Sequence, residues 1–319
     1  MRGKLKDILK IHFIDTEGEY TSGEKLAQMF GVSRAAIWKA VKALQEEGWQ
    51  IESSSARGYS LPFYPDALDS DLIRSSSLDC DAPVYCFDVI DSTNNYARIL
   101  AAKGAPHGTV VVADQQTAGR GRQGHSFWSP KSLGLYFSLL IRPQSTGFIS
   151  RMTPAAAVAA VQAIEETAHI TPGIKWVNDL FIGKKKIAGI LSEAVTDFET
   201  GTVNTVVIGI GINCHPVRFP DELSSIAGSL EDVSLKRSVL AGRLWHHLMY
   251  WTEHLDDPVL MELYRKNSIV TGKRIVYHRD NVPYEGFVRG INDDGNLIVL
   301  NDDETEILLH SGEISIKEW

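Results

Sequence analysis

Residues 115–126 read Gln-Gln-Thr-Ala-Gly-Arg-Gly-Arg-Gln-Gly-His-Ser. Glycines at 119, 121 and 124 surround arginines at 120 and 122. Glycine turns at positive φ and lets the backbone approach a ligand closely. Successive backbone N–H groups in such a turn form an anion nest, and arginine adds a planar fork of charged donors. The chemistry this loop can do is to grip a phosphate or a carboxylate. The same run also spells Gly-x-Gly-x-x-Gly, and a dinucleotide loop of that spelling must come after a strand and open a helix. The strand-like run Thr109–Ala113 precedes it. On its other side stand Phe127-Trp128-Ser129-Pro130 and a second strand-like run, Leu135–Ile141. No capped amphipathic helix starts at Gly124, so context excludes the dinucleotide reading. An anion loop between two strands remains, beside the plainer reading of a flexible surface loop.

Four further runs carry groups that can join it. Asp91-Ser92-Thr93-Asn94-Asn95 places hydroxyls and amides at a predicted helix start. Ser92 alone reads equally well as an N-cap, but Thr93 and Asn94 exceed what a cap needs. Lys175-Trp176-Val177-Asn178-Asp179 sets a lysine, an amide and a carboxylate at a strand end. Lys184-Lys185-Lys186 precedes the apolar run Ile187–Leu191. Lys184 and Lys185 read as solvated turn residues, whereas Lys186 adjoins the apolar strand and can point into a site. Gly209-Ile210-Gly211-Ile212-Asn213 ends a strand with glycines and an amide, where a backbone can come close to a ligand.

The elements that must position these groups alternate between strand and helix over about residues 83–268. Strands are predicted at 84–88, 109–113, 135–141, 173–176, 180–182, 186–193 and 203–212, with a hairpin around Gly183-Lys184-Lys185. Helices are predicted from Ser92 or Thr93 to Ala102, from Thr153-Pro154 to His169, and over most of 235–266. From about Ile269 the chain is β-rich, with strands at 274–277, 284–291, 297–300 and 305–309 and a turn at Asp293-Asp294-Gly295. That density of short strands suggests a small barrel.

The first 61 residues read differently. Leu5, Ile8, Leu9, His12 and Phe13 have helical spacing. Ser22 can cap a helix ending at Gly31, and Ser33 a second one from Arg34 to Glu47. Ile37, Val41 and Leu44 make the buried stripe, which leaves Arg34, Ala35, Trp38, Lys39 and Lys42 outward. Two short strands with Arg57 near their tip complete a winged helix-turn-helix, a DNA-binding arrangement. Ser33, Arg34, Trp38, Lys39, Lys42 and Arg57 are its candidate DNA contacts. One module per chain points to a dimer on a two-fold site. Residues 66–81 come after Pro62 and Pro65 and read as a linker with one short helix.

Composition sets bounds. The chain has 319 residues, enough for two or three domains, and a net charge of −8. Residues 1–61 hold nine Lys/Arg and eight Asp/Glu, so the −9 lies beyond them. DNA binding is therefore expected on one local face. No apolar run approaches the ~20 residues of a bilayer span, and Met1–Asp7 lacks the apolar stretch of a signal peptide. Cys80, Cys86 and Cys214 form no Cys-x-x-Cys, so reduced thiols in a cytoplasmic setting are expected. His246, His247 and His254 lack a metal-ligand pattern and read as structural.

Taken together, the central runs resemble the biotin protein ligase family, in particular its bifunctional members that also repress biotin genes. Ser92-Thr93-Asn94 is similar to its Ser-Thr-Asn element. The 116–124 run is similar to its Gly-Arg-Gly-Arg-x-Gly loop, and 175–179 to its Lys-Trp-Pro-Asn-Asp motif, with Val177 in place of proline. Lys186–Leu191 and Gly209-x-Gly211-x-Asn213 also fit, while His125-Ser126 stands where the family often has more basic residues. The resemblance spans the whole chain. It implies an α+β multidomain protein: a winged helix over 1–64, a mixed α/β ligase domain over 65–268 and a small SH3-like β-barrel over 269–319. It implies ATP-dependent formation of biotinyl-5′-adenylate with Mg²⁺, then transfer of biotin to a lysine of biotin carboxyl carrier protein. It also implies operator binding as a homodimer, with the adenylate as corepressor. Biotin contacts would come from Ser92, Thr93, Asn94, Gln116, Arg120, Gly121, Arg122 and Lys186. The adenylate would be held by Gly119, Arg120, Gly121, Arg122, Phe127, Lys175, Asn178, Lys186 and Asn213. Lys186, Arg120, Arg122 and Asp179 would be catalytic, with Asp179 also a candidate for the metal. Two alternatives remain: a lipoate or octanoate protein ligase, and a ligand-sensing transcription factor without turnover.

Overall fold

The computed structural model describes residues 2–64, 66–78, 80–143, 147, 149–196, 203–232, 234–279 and 282–317. Three helices come first: α1 (Arg2–Asp15), α2 (Gly23–Met29) and α3 (Arg34–Glu46). Ser22 and Ser33 cap α2 and α3, accepting from the N–H of Lys25 at 3.1 Å and of Ala36 at 3.2 Å. Each bond satisfies a donor that the first helical turn leaves unpaired. A hairpin of β1 (Glu52–Ser54) and β2 (Gly58–Ser60) forms the wing. Ile37, Val41 and Leu44 pack with Leu9, Phe13 and Leu26 in one apolar cluster.

The central sheet runs β3-β4-β5-β9-β8-β7-β6. Its strands are β3 (Val84–Phe87), β4 (Val110–Ala113), β5 (Gly134–Ile141), β6 (Gly173–Lys175), β7 (Asp179–Ile182), β8 (Lys185–Thr196) and β9 (Val203–Asn213). Only β3 and β4 pair in parallel among these described ladders. Helix α5 (Thr93–Ala102) covers one face, with Ala97 and Leu100 against Val111 and Val207. Val110 and Val112 point the other way, toward α6 (Met152–Ala168) and α8 (Arg237–Glu253). That alternation is the period of a strand. Because both faces are covered, β5 is a continuous buried run. Helices α7 (Asp221–Ser224) and α9 (Pro258–Lys266) complete this part.

The last residues form β10 (Arg274–Arg279), β11 (Val282–Ile291), β12 (Leu297–Asn301), β13 (Glu306–Leu309) and β14 (Ile314–Ile316). They pair antiparallel in the order β13-β12-β11-β10-β14. Strand β14 lies outside the sequence-predicted ranges. It is only three residues long, and its signal is the short alternation Ile314-Ser315-Ile316. The apolar cluster of the central sheet continues into Ile275, Tyr277, Val288 and Leu297. The C-terminal sheet is thus packed onto the central one.

Residues 66–81 do more than link. Helix α4 (Ser70–Ser76) lies against α8, with Leu72 in the N-terminal cluster and Ile73 in the central one. Arg237 is only 1% exposed. Its Nε donates to Asp66 at 2.5 Å, and its Nη1 donates to Asp114 at 2.7 Å and to the Gly134 carbonyl at 2.9 Å. His215 Nε2 lies 2.8 Å from the same Asp66 carboxylate. Lys236 next door pairs with Glu17 at 2.8 Å and donates to the Tyr64 carbonyl at 2.6 Å. Burying an arginine costs desolvation unless its donors are met, and here two carboxylates and a carbonyl meet them. The cluster ties the winged helix and the segment after it to the end of β4, where the Gln115-Gln116 run begins.

Candidate active site

A cavity of about 580 Å³ opens where the ends of β5, β8 and β9 meet the 119–128 loop. One end is neutral and polar. Thr93 N donates to Gln116 Oε1 at 2.9 Å, and Gln116 Nε2 donates to Ser129 Oγ at 3.0 Å. Ser138, the one serine on β5, lies 2.8 Å from Thr93 Oγ1 and donates to Asn94 Oδ1 at 2.6 Å. Ser92, Thr93 and Asn94 are each less than 5% exposed. Ser92 sits at the N-cap position of α5, but its side chain makes no capping bond. Asn94 reaches the β9 backbone only because residue 209 is glycine: a Cβ there would stand 2.2 Å from Asn94 Oδ1.

The other end is cationic. Lys175, Lys186 and Arg122 line it beside Asn178 and Asp179, and Lys184 and Arg120 are the other Lys and Arg residues of the cavity wall. Lys186 Nζ pairs with Asp179 Oδ1 at 2.7 Å. Burial pushes the Lys175 amine below its ordinary pKa; the Asp179 carboxylate opposes that shift and the Lys186 charge adds to it. A cation desolvated beside a second cation favours an anionic guest, which lowers the repulsion. Arg122 Nη1 donates to Asn178 Oδ1 at 3.2 Å, and Asn178 Nδ2 donates to the Ile190 carbonyl at 2.9 Å. Arg120 Nη1 donates to Asn95 Oδ1 at 3.2 Å, and its Nη2 lies 3.6 Å from Glu193.

The Phe127 ring also lines the cavity, against Gly211, Gly189 and Tyr136. A Cβ on residue 211 would meet ring atoms at 2.5 and 2.7 Å, so glycine lets the ring lie on the β9 backbone. Phe127 N also donates to the Gly119 carbonyl at 2.9 Å, which joins the ring to the arginine loop. The 176–178 turn is held from two sides. Tyr264 on α9 donates to the Val177 carbonyl at 3.0 Å, and Trp176 Nε1 donates to the Gly295 carbonyl at 2.8 Å. The Trp176–Val177 peptide is cis. The C-terminal sheet therefore positions a cavity turn, and Gly312, Glu313, Ile314, Ser315 and Ile316 themselves line the cavity.

These features have counterparts in known proteins. Residues 86–213 match the Biotin/lipoate A/B protein ligase family, 4–60 an HTH domain and 268–317 the Biotin protein ligase C terminal domain. The bifunctional ligase/repressor BirA of Bacillus subtilis is 36% identical over 99% of this chain and 100% of its own length. The chain belongs to the biotin protein ligase family. The Escherichia coli bifunctional ligase/repressor BirA is 30% identical over 97% of each chain. This ligase also shares its fold with the biotin protein ligase of Aquifex aeolicus solved with biotin and ATP. The TM-score is 0.62 at 24% identity, covering 74% of this chain and 99% of that one. The two BirA relatives are matched nearly end to end and carry a bifunctional name, as the sequence reading expects.

Of the residues singled out in the sequence, Ser92, Thr93, Asn94, Gln116, Arg120, Gly121, Arg122, Phe127, Lys175, Asn178, Asp179 and Lys186 line this one cavity. Gly119 stands behind the loop, packed on Phe127 and Ser129. Asn213 lies outside the lining, where its amide donates to the Gly228 carbonyl at 2.8 Å. It thereby anchors the segment after Ser225 and Ile226, which do line the cavity. Sequence reasoning missed Ser129, Ser138, Glu193 and the 312–316 segment, and it read Lys184 as a solvated turn residue, whereas Lys184 is exposed but also lines the cavity. Ser138 carried a signal, a single serine within a buried run; the 312–316 segment carried only the three-residue alternation Ile314-Ser315-Ile316.

The winged helix presents a second surface. Ser33, Arg34, Ala35, Trp38, Lys39 and Lys42 are at least partly exposed at the start and along the outer face of α3, and Arg57 is exposed at the wing tip. Lys42 Nζ lies 5.4 Å from the Trp38 ring centre, and the Arg57 guanidinium 3.8 Å from that of Tyr20.

Proposed function

We propose that this ligase joins biotin to ATP, transfers the biotin to a carrier lysine, and represses biotin genes as a homodimer whose corepressor is the adenylate. The observation that carries this reading is a single cavity whose wall combines a neutral hydrogen-bonding end with five Lys and Arg side chains. An uncharged cyclic urea with a carboxylate tail suits the first, and a nucleotide phosphate the second. Ser92, Thr93, Asn94, Gln116 and Gly121 serve the biotin ring. Arg120, Arg122 and Lys186 serve both the biotin carboxylate and the phosphates, and Phe127, Lys175 and Asn178 complete the adenylate site, with Gly119 and Asn213 supporting its wall from outside the lining.

In the first step the biotin carboxylate oxygen attacks the α-phosphorus of ATP. A new O–P bond forms and the bond to pyrophosphate breaks. Negative charge gathers at phosphorus, and Lys186, Arg120 and Arg122 are suited to offset it. In the second step the carrier lysine amine attacks the acyl carbon and AMP leaves. A mixed anhydride is open to hydrolysis, so the glycine-hinged loop serves by excluding water around it.

Mg²⁺ is commonly held by one or two carboxylates and the substrate phosphates, and we take it to enter this site with ATP. Asp179 is the carboxylate suited to it, and bound Mg²⁺ would neutralise phosphate charge. Ser33, Arg34, Trp38, Lys39, Lys42 and Arg57 form the operator face. No helix among the described residues is long and apolar enough to cross a membrane, and the setting we propose is cytoplasmic. ATP–pyrophosphate exchange tests the chemistry. Exchange with biotin and none with lipoate or octanoate is expected; the reverse preference would assign the cavity to the other branch of the family.

A further inference from the structure

Glu193 lies on β8, two residues beyond the cavity-lining Leu191, and its carboxylate contacts two residues of the cavity wall, Asn94 and Arg120. One oxygen, Oε2, accepts from Asn94 Nδ2 at 2.9 Å. The other, Oε1, lies 3.6 Å from Arg120 and 4.0 Å from Arg98. The Glu193 side chain is 19% exposed, against 45% for Arg120. It is not part of the cavity wall. Anything it does for a ligand passes through Asn94 and Arg120.

The two contacts place different demands on the group. An asparagine amide has nearly the same shape either way round, so hydrogen bonds decide which end points where. A carboxylate only accepts, so Glu193 holds Asn94 with its NH₂ toward β8, where the Leu191 carbonyl is a second and longer acceptor at 3.4 Å, and with its oxygen toward Ser138 and Gly209. Asn94 then offers the cavity an acceptor, suited to an N–H of a cyclic urea. Arg120 is held at the loop by Asn95 Oδ1 at 3.2 Å and by the charge of Glu193. A glutamine at 193 has one accepting end. If its oxygen faces Asn94, its NH₂ faces a guanidinium. If the oxygen faces Arg120, two NH₂ groups meet and the Asn94 NH₂ keeps only the longer bond to the Leu191 carbonyl.

We infer that Glu193 is a positioning residue: its carboxylate orients Asn94 at the ring end of the site and steadies Arg120 in the cavity wall. The inference rests on the biotin–adenylate reading above. The test compares wild type with Glu193→Gln and Glu193→Asp in biotin-dependent ATP–pyrophosphate exchange, alongside thermal melting of each full-length protein. Glu193→Gln is expected to raise the KM for biotin about tenfold, the scale of one charge-assisted hydrogen bond. Its melting temperature should stay close to wild type, because its bulk is unchanged. Glu193→Asp keeps two accepting oxygens and the charge, and should recover part of the affinity. Active wild type with an unchanged biotin KM in Glu193→Gln overturns the role of Glu193 alone. So does a drop in melting temperature with no change in KM. A wild type inactive with biotin overturns the functional reading, and this role with it.

Discussion

Replacing Gly211 by alanine tests how the cavity is assembled. The added methyl would stand 2.5 Å from one Phe127 ring atom and 2.7 and 3.0 Å from two others. Carbon atoms pack at about 3.5–4.0 Å, so the ring must retreat by about 1 Å. The β9 backbone cannot give way instead, because residue 211 is paired on both sides, with Tyr136 of β5 and Gly189 of β8. The ring's own residue is bonded through its N–H to the Gly119 carbonyl, and the displacement therefore reaches the arginine loop. A 1 Å misplacement of reacting groups can cost about 10²-fold in rate. Gly211→Ala is accordingly expected to slow biotin-dependent pyrophosphate exchange about 10²-fold while the protein stays folded by circular dichroism. The control is a cycle with Phe127→Leu, a smaller side chain that leaves room for the methyl. In that background the further loss from Gly211→Ala should be no more than a few-fold. Full activity in Gly211→Ala, or the same loss in both backgrounds, would refute the steric reasoning.

Three further outcomes are expected. Lys186→Ala should reduce adenylate formation by about 10²-fold or more in a pyrophosphate-release assay, the scale of losing one transition-state donor; near-normal release would remove Lys186 from the first step. His215 has its pKa raised by the Asp66 hydrogen bond against the opposing effect of burial. Its contribution to stability is fully present below the ordinary histidine value of about 6.5 and is lost as pH rises through the raised value. Urea midpoints should therefore separate wild type from His215→Asn most at about pH 6 and least in alkaline buffer; a gap that widens with pH contradicts this. Lys39→Ala should weaken operator binding and lower the salt slope of log K by about one if the lysine meets a phosphate; an unchanged slope in a salt titration would move the contact elsewhere.

The legible parts of this protein are those written in local chemistry. The caps at Ser22 and Ser33, the Ile37-Val41-Leu44 stripe and the strand on each side of the arginine loop are readable because each depends on neighbours in sequence. So is the cavity lining, since its motifs sit at strand and helix ends. The parts that cannot be read depend on contacts far apart in the chain. Residues 66–81 look like a polar linker, yet Asp66 is held by Arg237, 171 positions later. Asn213 closes a pattern of cavity residues, but its amide is used by Gly228. The 312–316 segment enters the cavity wall through the pairing of β14 with β10, and three residues carry too little periodicity to announce a strand. Glu193 looks like the solvated end of a strand, and its partner Asn94 lies 99 positions earlier.

The most direct measurement is transfer of labelled biotin to a biotin carboxyl carrier domain, with ATP present or withheld. Label on one lysine of the carrier, formed only with ATP and lost in Lys186→Ala, is the expected result. Labelled adenylate that forms but never reaches the carrier, or no label in any form at high enzyme concentration, would contradict the assignment of this cavity as a biotin-transferring site.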